Sequence, residues 1–277
     1  MSSFRTKHIA ILMALAFSLA TLPASPARPA VADPDSLDQL LVRAGVKVTQ
    51  FLNQLADVRC NEDVDQEKLT PKGKTEERVQ SSFEYIVLTQ SQGDEPVLYE
   101  SREALKESRS RKNVSLLVTN GFATQLLIFH PYYQPSFSFE RIPDIRINGR
   151  NYIQIRFRHI TGRPAPAALL LRGHEYPLSL AGIARIDPET GAVDHIVTDL
   201  AASMEDLGLK SFHSEVDYAA VAFGNPSKTY LLPAQATVEV RTQRQRWKNV
   251  HRFSNYRLFS VSTTENVDVE KIKQKDQ

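Results

Sequence analysis

The sequence predicts an α+β fold, mainly antiparallel β, with one amphipathic helix ahead of a long run of hairpins. Three observations carry this. Apolar residues recur at helical spacing from Leu37 to Leu55. Asn148-Gly149 separates two segments of extended character, and Asn-Gly suits the tight hairpin turn because both central residues need positive φ. Asp187-Pro188-Glu189-Thr190-Gly191 separates two more. There the proline presets φ and the glycine supplies a left-handed residue.

The chain opens with 32 residues that read as a secretory signal peptide. Arg5, Lys7 and His8 are basic, and Ile9 to Leu22 form an apolar or small-residue run without an acid. Ala30-Val31-Ala32 then supplies the small residues that a signal peptidase reads. Cleavage is expected near Ala32, giving an exported chain, periplasmic or extracellular, that begins at Asp33. The apolar run is shorter than the ~20 residues of a spanning helix, so no stable membrane span is expected after cleavage. Removing 32 of the 277 residues leaves 245. The signal takes three of the 34 basic residues and none of the 32 acidic ones. The remaining near-neutral balance argues against nucleic-acid binding, which needs a basic footprint to displace counterions. The single cysteine, Cys60, cannot form an internal disulfide, so burial has to hold the domain together. Cys60 reads as a tolerated thiol near a helix end.

Asp35 and Ser36 offer caps for a helix over 35–60. Its apolar stripe is Leu37, Leu40, Leu41, Ala44, Val48, Phe51, Leu52 and Leu55. Gly45 weakens the helix slightly. Residues 61–77 are polar and carry Pro71 and Gly73, so an exposed connection is expected there. From Arg78 the period becomes two, with Phe83, Tyr85 and Val87 on one side. Gln92-Gly93-Asp94 turns the chain, and Val97 to Glu100 returns. The charged stretch 101–113 reads as a loop or short exposed helix. Val114–Thr119 and Thr124–Phe129 flank a turn at Asn120-Gly121, with a helix through Phe122–Phe129 as the alternative. His130-Pro131 stops that element.

Residues 144–147 and 151–158 form the Asn-Gly hairpin, with Ile153, Ile155 and Phe157 facing one way. Residues 183–186 and 193–197 form the next. Phe212–Ala222 pairs with Lys228–Leu232 across Gly224-Asn225-Pro226, then Ala234–Gln243 and His251–Val261 close the series. The stretch 78–262 therefore reads as an antiparallel meander, within one domain over 33–262. A polar tail over 263–277 follows.

Motifs for chemistry are sparse. The seven histidines are scattered, with no i, i+4 pair and no cysteine pair beside them. No metal site and no cofactor is expected. His213, Glu215 and Asp217 alternate along one strand face as a surface ladder. No G-x-S-x-G elbow and no glycine-rich phosphate loop occurs. Asp187, Asp194 and Asp199 fit structural roles better than a carboxylate pair. No catalytic residue is assigned. The basic segment Arg241–Arg257, with Trp247, Phe253 and Tyr256 between its cations, reads as a hairpin with a wet basic face and a buried aromatic one.

One family resemblance rests on two segments. They are Gly182-Ile183-Ala184-Arg185-Ile186-Asp187-Pro188-Glu189-Thr190-Gly191-Ala192-Val193 and Tyr230-Leu231-Leu232-Pro233. With a preceding amphipathic helix and a long meander, they resemble the lipoprotein-carrier group that includes LolA, LolB and related periplasmic lipid-binding proteins. The resemblance implies a curved half-barrel, an N-terminal helix packed on its concave face, and an apolar cavity for acyl chains. The expected ligand is an apolar or amphipathic one, a lipid or a lipidated protein. Leu41, Val48, Phe51 and Leu55 of the helix, with Ile153, Ile155, Phe157, Val238 and Val240 of the strands, would line or plug the cavity. Two rivals stay open: an envelope scaffold or interaction module with a filled core, and a hydrolase whose residues converge only in three dimensions.

Overall fold

The computed structural model describes residues 36–105, 122–171 and 173–258. The signal-peptide reading, the Asn120-Gly121 turn, most of the charged stretch after 101 and the polar tail lie outside the described residues. The chain begins with helix α1 (Leu37–Leu55). Ser36 caps it: its Oγ accepts from the Gln39 amide, and the Gln39 side chain accepts from the Ser36 amide. The helix stops at Leu55 rather than continuing to 60, because Val58 already begins a strand paired on both sides. Gly45 has a packing reason. A Cβ there would lie 3.1 Å from Gln134 Nε2 and 3.2 Å from the Pro131 ring, so the helix can approach the 131–134 segment only at a residue without a side chain.

Among the described residues twelve strands follow: β1 (Val58–Leu69), β2 (Thr75–Gln92), β3 (Glu95–Ala104), β4 (Phe137–Ile147), β5 (Arg150–His159), β6 (Ala168–Leu171), β7 (His174–Pro177), β8 (Leu180–Ile186), β9 (Val193–Leu200), β10 (Leu209–Phe223), β11 (Asn225–Thr242) and β12 (Arg246–Leu258). β6 and β7 form a separate hairpin, and the other ten make one antiparallel sheet in the order β3-β2-β1-β12-β11-β10-β9-β8-β5-β4. Among the described residues the sheet is not closed, and β3 and β4 are its edges. The architecture is the mainly antiparallel α+β one that the sequence predicts.

Several boundaries differ from expectation. Residues 61–77 are not a connection: they hold most of β1, a short turn and the start of β2. Cys60 accordingly lies on β1, not at a helix end. Residues 101–104 extend β3. Thr124–Phe129 is a 3₁₀ helix, the helical alternative and not the strand; Gln125–Phe129 are buried, and among the described residues the segment pairs with no strand. The two strands expected on either side of Pro233 are one, β11, whose register against β10 shifts between Asp217 and Tyr218. A proline lacks a ladder donor, and a bulge accommodates it. The Asn-Gly turn forms as expected, with φ of 50° at Asn148 and 83° at Gly149.

The sheet must be strongly curled. Ten flat strands would hold their edges about 43 Å apart, at ~4.8 Å per step. Yet one short segment touches both ends. Phe129 packs on Phe139 of β4 and Phe157 of β5, at ring-centroid distances of 5.4 and 6.1 Å. Four residues on, the Tyr133 hydroxyl donates to Glu95 of β3 at 2.7 Å. The 3₁₀ segment therefore lies inside the curl, and α1 packs against it and against β1, β2, β9 and β11. One continuous core joins the helix, the segment and the inner strand face.

Candidate functional site

The site is built around the turn between β8 and β9. Asp187 Oδ1 accepts from the Glu189 amide (3.0 Å), the Thr190 amide (2.8 Å) and the Thr190 hydroxyl (3.0 Å). Arg150 Nη2 donates to Asp187 Oδ2 at 2.8 Å. Burial would raise the Asp187 carboxyl, but these bonds outweigh it and hold the group below its ordinary value. The turn then receives the helix. Arg43 Nη2 donates to the Pro188 carbonyl at 3.2 Å. Gly191, at φ 75°, lies so close that an added Cβ would sit 2.8 Å from Arg43 Cβ.

Beside this contact the helix and the sheet leave a cleft of about 510 Å³, within the range of roughly 300–1,000 Å³ usual for small-ligand sites. Its apolar lining comes from Val48 and Phe51 of α1, Leu126 of the 3₁₀ segment, Val193, Tyr218, Ala220 and Leu231. Its polar lining comes from Lys47, Gln50 and Gln54 on the helix, Arg150, Asp187, Thr190, Asp194 and Thr229. Phe51 packs edge-on against Tyr218, with ring centroids 5.9 Å apart. The Tyr218 hydroxyl donates to the Phe122 carbonyl at 2.9 Å. A buried chain of side chains fixes the 3₁₀ segment. Thr198 Oγ1 donates to Gln125 Oε1 at 3.0 Å, and Gln125 Nε2 donates to Ser214 Oγ at 2.5 Å.

Of the nine residues expected from sequence, Val48 and Phe51 line this cleft. Leu55, Ile153, Ile155, Phe157, Val238 and Val240 are buried in the common core, and Leu41 packs partly buried against it. Sequence reading missed Leu126, Tyr218 and Leu231. The alternation of Val216, Tyr218 and Ala220 could have pointed to the second. Nothing local marks Leu126.

A second interior region is polar. Glu62 of β1, fully buried, accepts from Arg102 of β3 at Oε2 (2.5 Å) and Oε1 (2.9 Å). Its Oε1 also lies 2.8 Å from Nδ1 of His251 on β12. Arg102 reaches Glu100 at 3.5 Å and lies over the Tyr85 and Phe122 rings. Burial pushes the Glu62 carboxyl up, but the hydrogen bonds from His251 and Arg102 outweigh it, and the carboxyl stays below its ordinary value. Burial also holds the His251 imidazolium below its ordinary range, with Glu62 opposing only in part. Nearby, burial pushes the Cys60 thiol up to about 12, so it is inert as a nucleophile.

Elsewhere the charges pair on the surface. His195 Nδ1 lies 2.7 Å from Asp217 and its Nε2 3.6 Å from Glu215, while His213 lies 2.7 Å from Asp199. His195, Glu215 and Asp217 are the one group among the described residues whose potential metal donors lie within 4.8 Å of one another. Asp194 is held by Arg185 at 2.6 Å, so Asp187, Asp194 and Asp199 each have a separate cationic or histidine partner. Trp247 and Phe253 are buried. Arg246, Lys248 and Arg257 pair with Glu239 or Glu84.

No protein-family model matches the chain, and no curated protein matches it in sequence. Solved structures do. A DUF1329 family protein from Desulfovibrio piger is 10% identical over 84% of this chain and 96% of its own, with a TM-score of 0.44. A putative outer membrane lipoprotein-sorting protein domain from Vibrio parahaemolyticus is 10% identical over 82% and 97%, with a TM-score of 0.40. A LolA superfamily protein from Nitrosomonas europaea is 9% identical over 81% and 94%, with a TM-score of 0.37. The chain is similar to LolA-superfamily structures. That likeness is one of fold, and the site rests on this chain's own residues. Among the described residues no helix is long and apolar enough to cross a membrane.

Proposed function

We propose that this is an exported, non-enzymatic protein that binds the apolar part of an amphipathic ligand, an acyl chain or a lipidated protein, in the cleft between α1 and the concave sheet face. The observation that carries the reading is the cleft of about 510 Å³ floored by Val48, Phe51, Leu126, Tyr218 and Leu231. Val48 and Phe51 touch the ligand. Leu41, Leu55, Ile153, Ile155, Phe157, Val238 and Val240 form the packed wall behind. Uptake needs no chemistry, since each buried methylene contributes about 0.8 kcal/mol.

The test is a chain-length series. Gently purified protein is examined by native mass spectrometry for a co-purified lipid, then titrated with alkyl ligands of increasing length against a neutral fluorescent probe, N-phenyl-1-naphthylamine. Each added pair of methylenes should tighten binding by roughly tenfold until the cleft is full. A second reading is an interaction module, favoured by the 3₁₀ segment, whose Leu126, Leu127, Ile128 and Phe129 pack into the core shared by the helix and the strands. No co-purified lipid together with no probe binding would leave that second reading standing.

A further inference from the structure

Resting on the proposed ligand cleft, we infer that its ligand is a single-chain amphiphile with an anionic head, held at the mouth by Lys47. Helix α1 presents two adjacent stripes to the cleft. Val48 and Phe51 are buried, while Lys47, Gln50 and Gln54 on the neighbouring stripe are half-buried or exposed. Polarity therefore changes from floor to mouth within one helix, matching a molecule whose tail enters first and whose head stays at the water boundary. A cleft of about 510 Å³ lies within the small-ligand range of roughly 300–1,000 Å³, which suits one chain rather than several.

The charges around the mouth decide the sign of the head. Arg150 is paired with Asp187 at 2.8 Å, and Asp194 is paired with Arg185 at 2.6 Å. These two pairs cancel. Lys47 Nζ has a neutral partner, Gln50 Oε1, at 3.2 Å, and among the described residues no acid pairs with it. Its ammonium is thus the uncompensated charge of the lining. A carboxylate or phosphate there gains a charge-assisted hydrogen bond, and Gln50 and Gln54 add amide donors. A cationic head would meet like charge.

Three twelve-carbon ligands separate the outcomes in displacement of N-phenyl-1-naphthylamine: dodecanoate, dodecanol and dodecyltrimethylammonium. Dodecanoate should displace the probe at about a tenfold lower concentration than dodecanol, as expected for a hydrogen bond to a charged group, and the cationic ligand should be weakest. Lys47→Gln should bring dodecanoate and dodecanol together, and Lys47→Glu should reverse their order. Lys210→Gln, an exposed change outside the cleft, should leave the preference intact and serves as the folding control. Raised salt should shrink the preference. Dodecanol binding as tightly as dodecanoate, or a preference that survives Lys47→Glu, overturns the head-group assignment and leaves the apolar cleft standing. Failure of every ligand to displace the probe overturns both.

Discussion

The interior of the curl has two halves built on opposite principles. On the β5, β8 and β9 side, Ile153, Ile155, Phe157, Ala184, Ile186 and Ile196 pack with the 3₁₀ segment in an apolar core that holds no ion pair among the described residues, its polar contact being the neutral Thr198–Gln125–Ser214 chain. On the β1, β3 and β12 side, Glu62, Arg102, Glu100 and His251 meet inside, with Gln66 and Asn249 also buried. The first half gains from every apolar atom it buries and tolerates loss gradually. The second holds ions out of water, and each is tolerable only while its partner is present. The difference teaches where this molecule is brittle.

Removing one ion should break the polar half most severely. Arg102→Ala leaves Glu62 and Glu100 buried and close without their shared cation. A loss of about 4 kcal/mol is expected from the urea midpoint, with the slope unchanged. In the apolar half, Ile155→Ala should cost about 3 kcal/mol through the cavity it leaves, and calorimetry should find that loss the same at pH 5 and pH 8.

Acid sharpens the contrast further. His251 binds its proton less readily folded than unfolded, so the unfolded chain takes up more protons as pH falls below about 6.5. Glu62, held below its ordinary 4.5, adds a second loss only at lower pH. Stability should therefore be full above about 6.5 and decline on acidification, first through His251. His251→Gln should flatten the decline between pH 7 and 5. A decline unaltered by that change would place its origin outside the polar half. The smallest effect belongs to the surface. Glu140 and Arg156 pair at 2.6 Å but stay more than half exposed, so Glu140→Gln should change the melting free energy by less than about 0.5 kcal/mol.

The same contrast explains what could be read from the chain. The apolar half announces itself, since Ile153, Ile155 and Phe157 alternate with Gln154, Arg156 and Arg158 in the arm that follows a clear turn. The polar half does not. Strand β1 alternates too, but its inward face is Cys60, Glu62, Val64 and Gln66 and its outward face is Asn61, Asp63 and Asp65, so no apolar period shows. Its inward acid makes sense only beside Arg102 and His251, 40 and 189 residues away. The cleft was legible in part. Val48 and Phe51 belong to a periodic helix stripe, whereas Leu126 belongs to a run apolar on all sides, which gives no face to choose. Nor could spacing have shown that Arg150 and Asp194 are neutralised by neighbours and that, among the described residues, Lys47 is not.

In the proposed function, ligands enter between helix α1 and the sheet rather than elsewhere in the interior. Methyl-resolved NMR during a dodecanoate titration tests it directly. Shifts should concentrate at Val48, Leu126, Val193 and Leu231, with Val64 in the polar half unmoved. Shifts led by Val64, or spread over the outer sheet face, would contradict it.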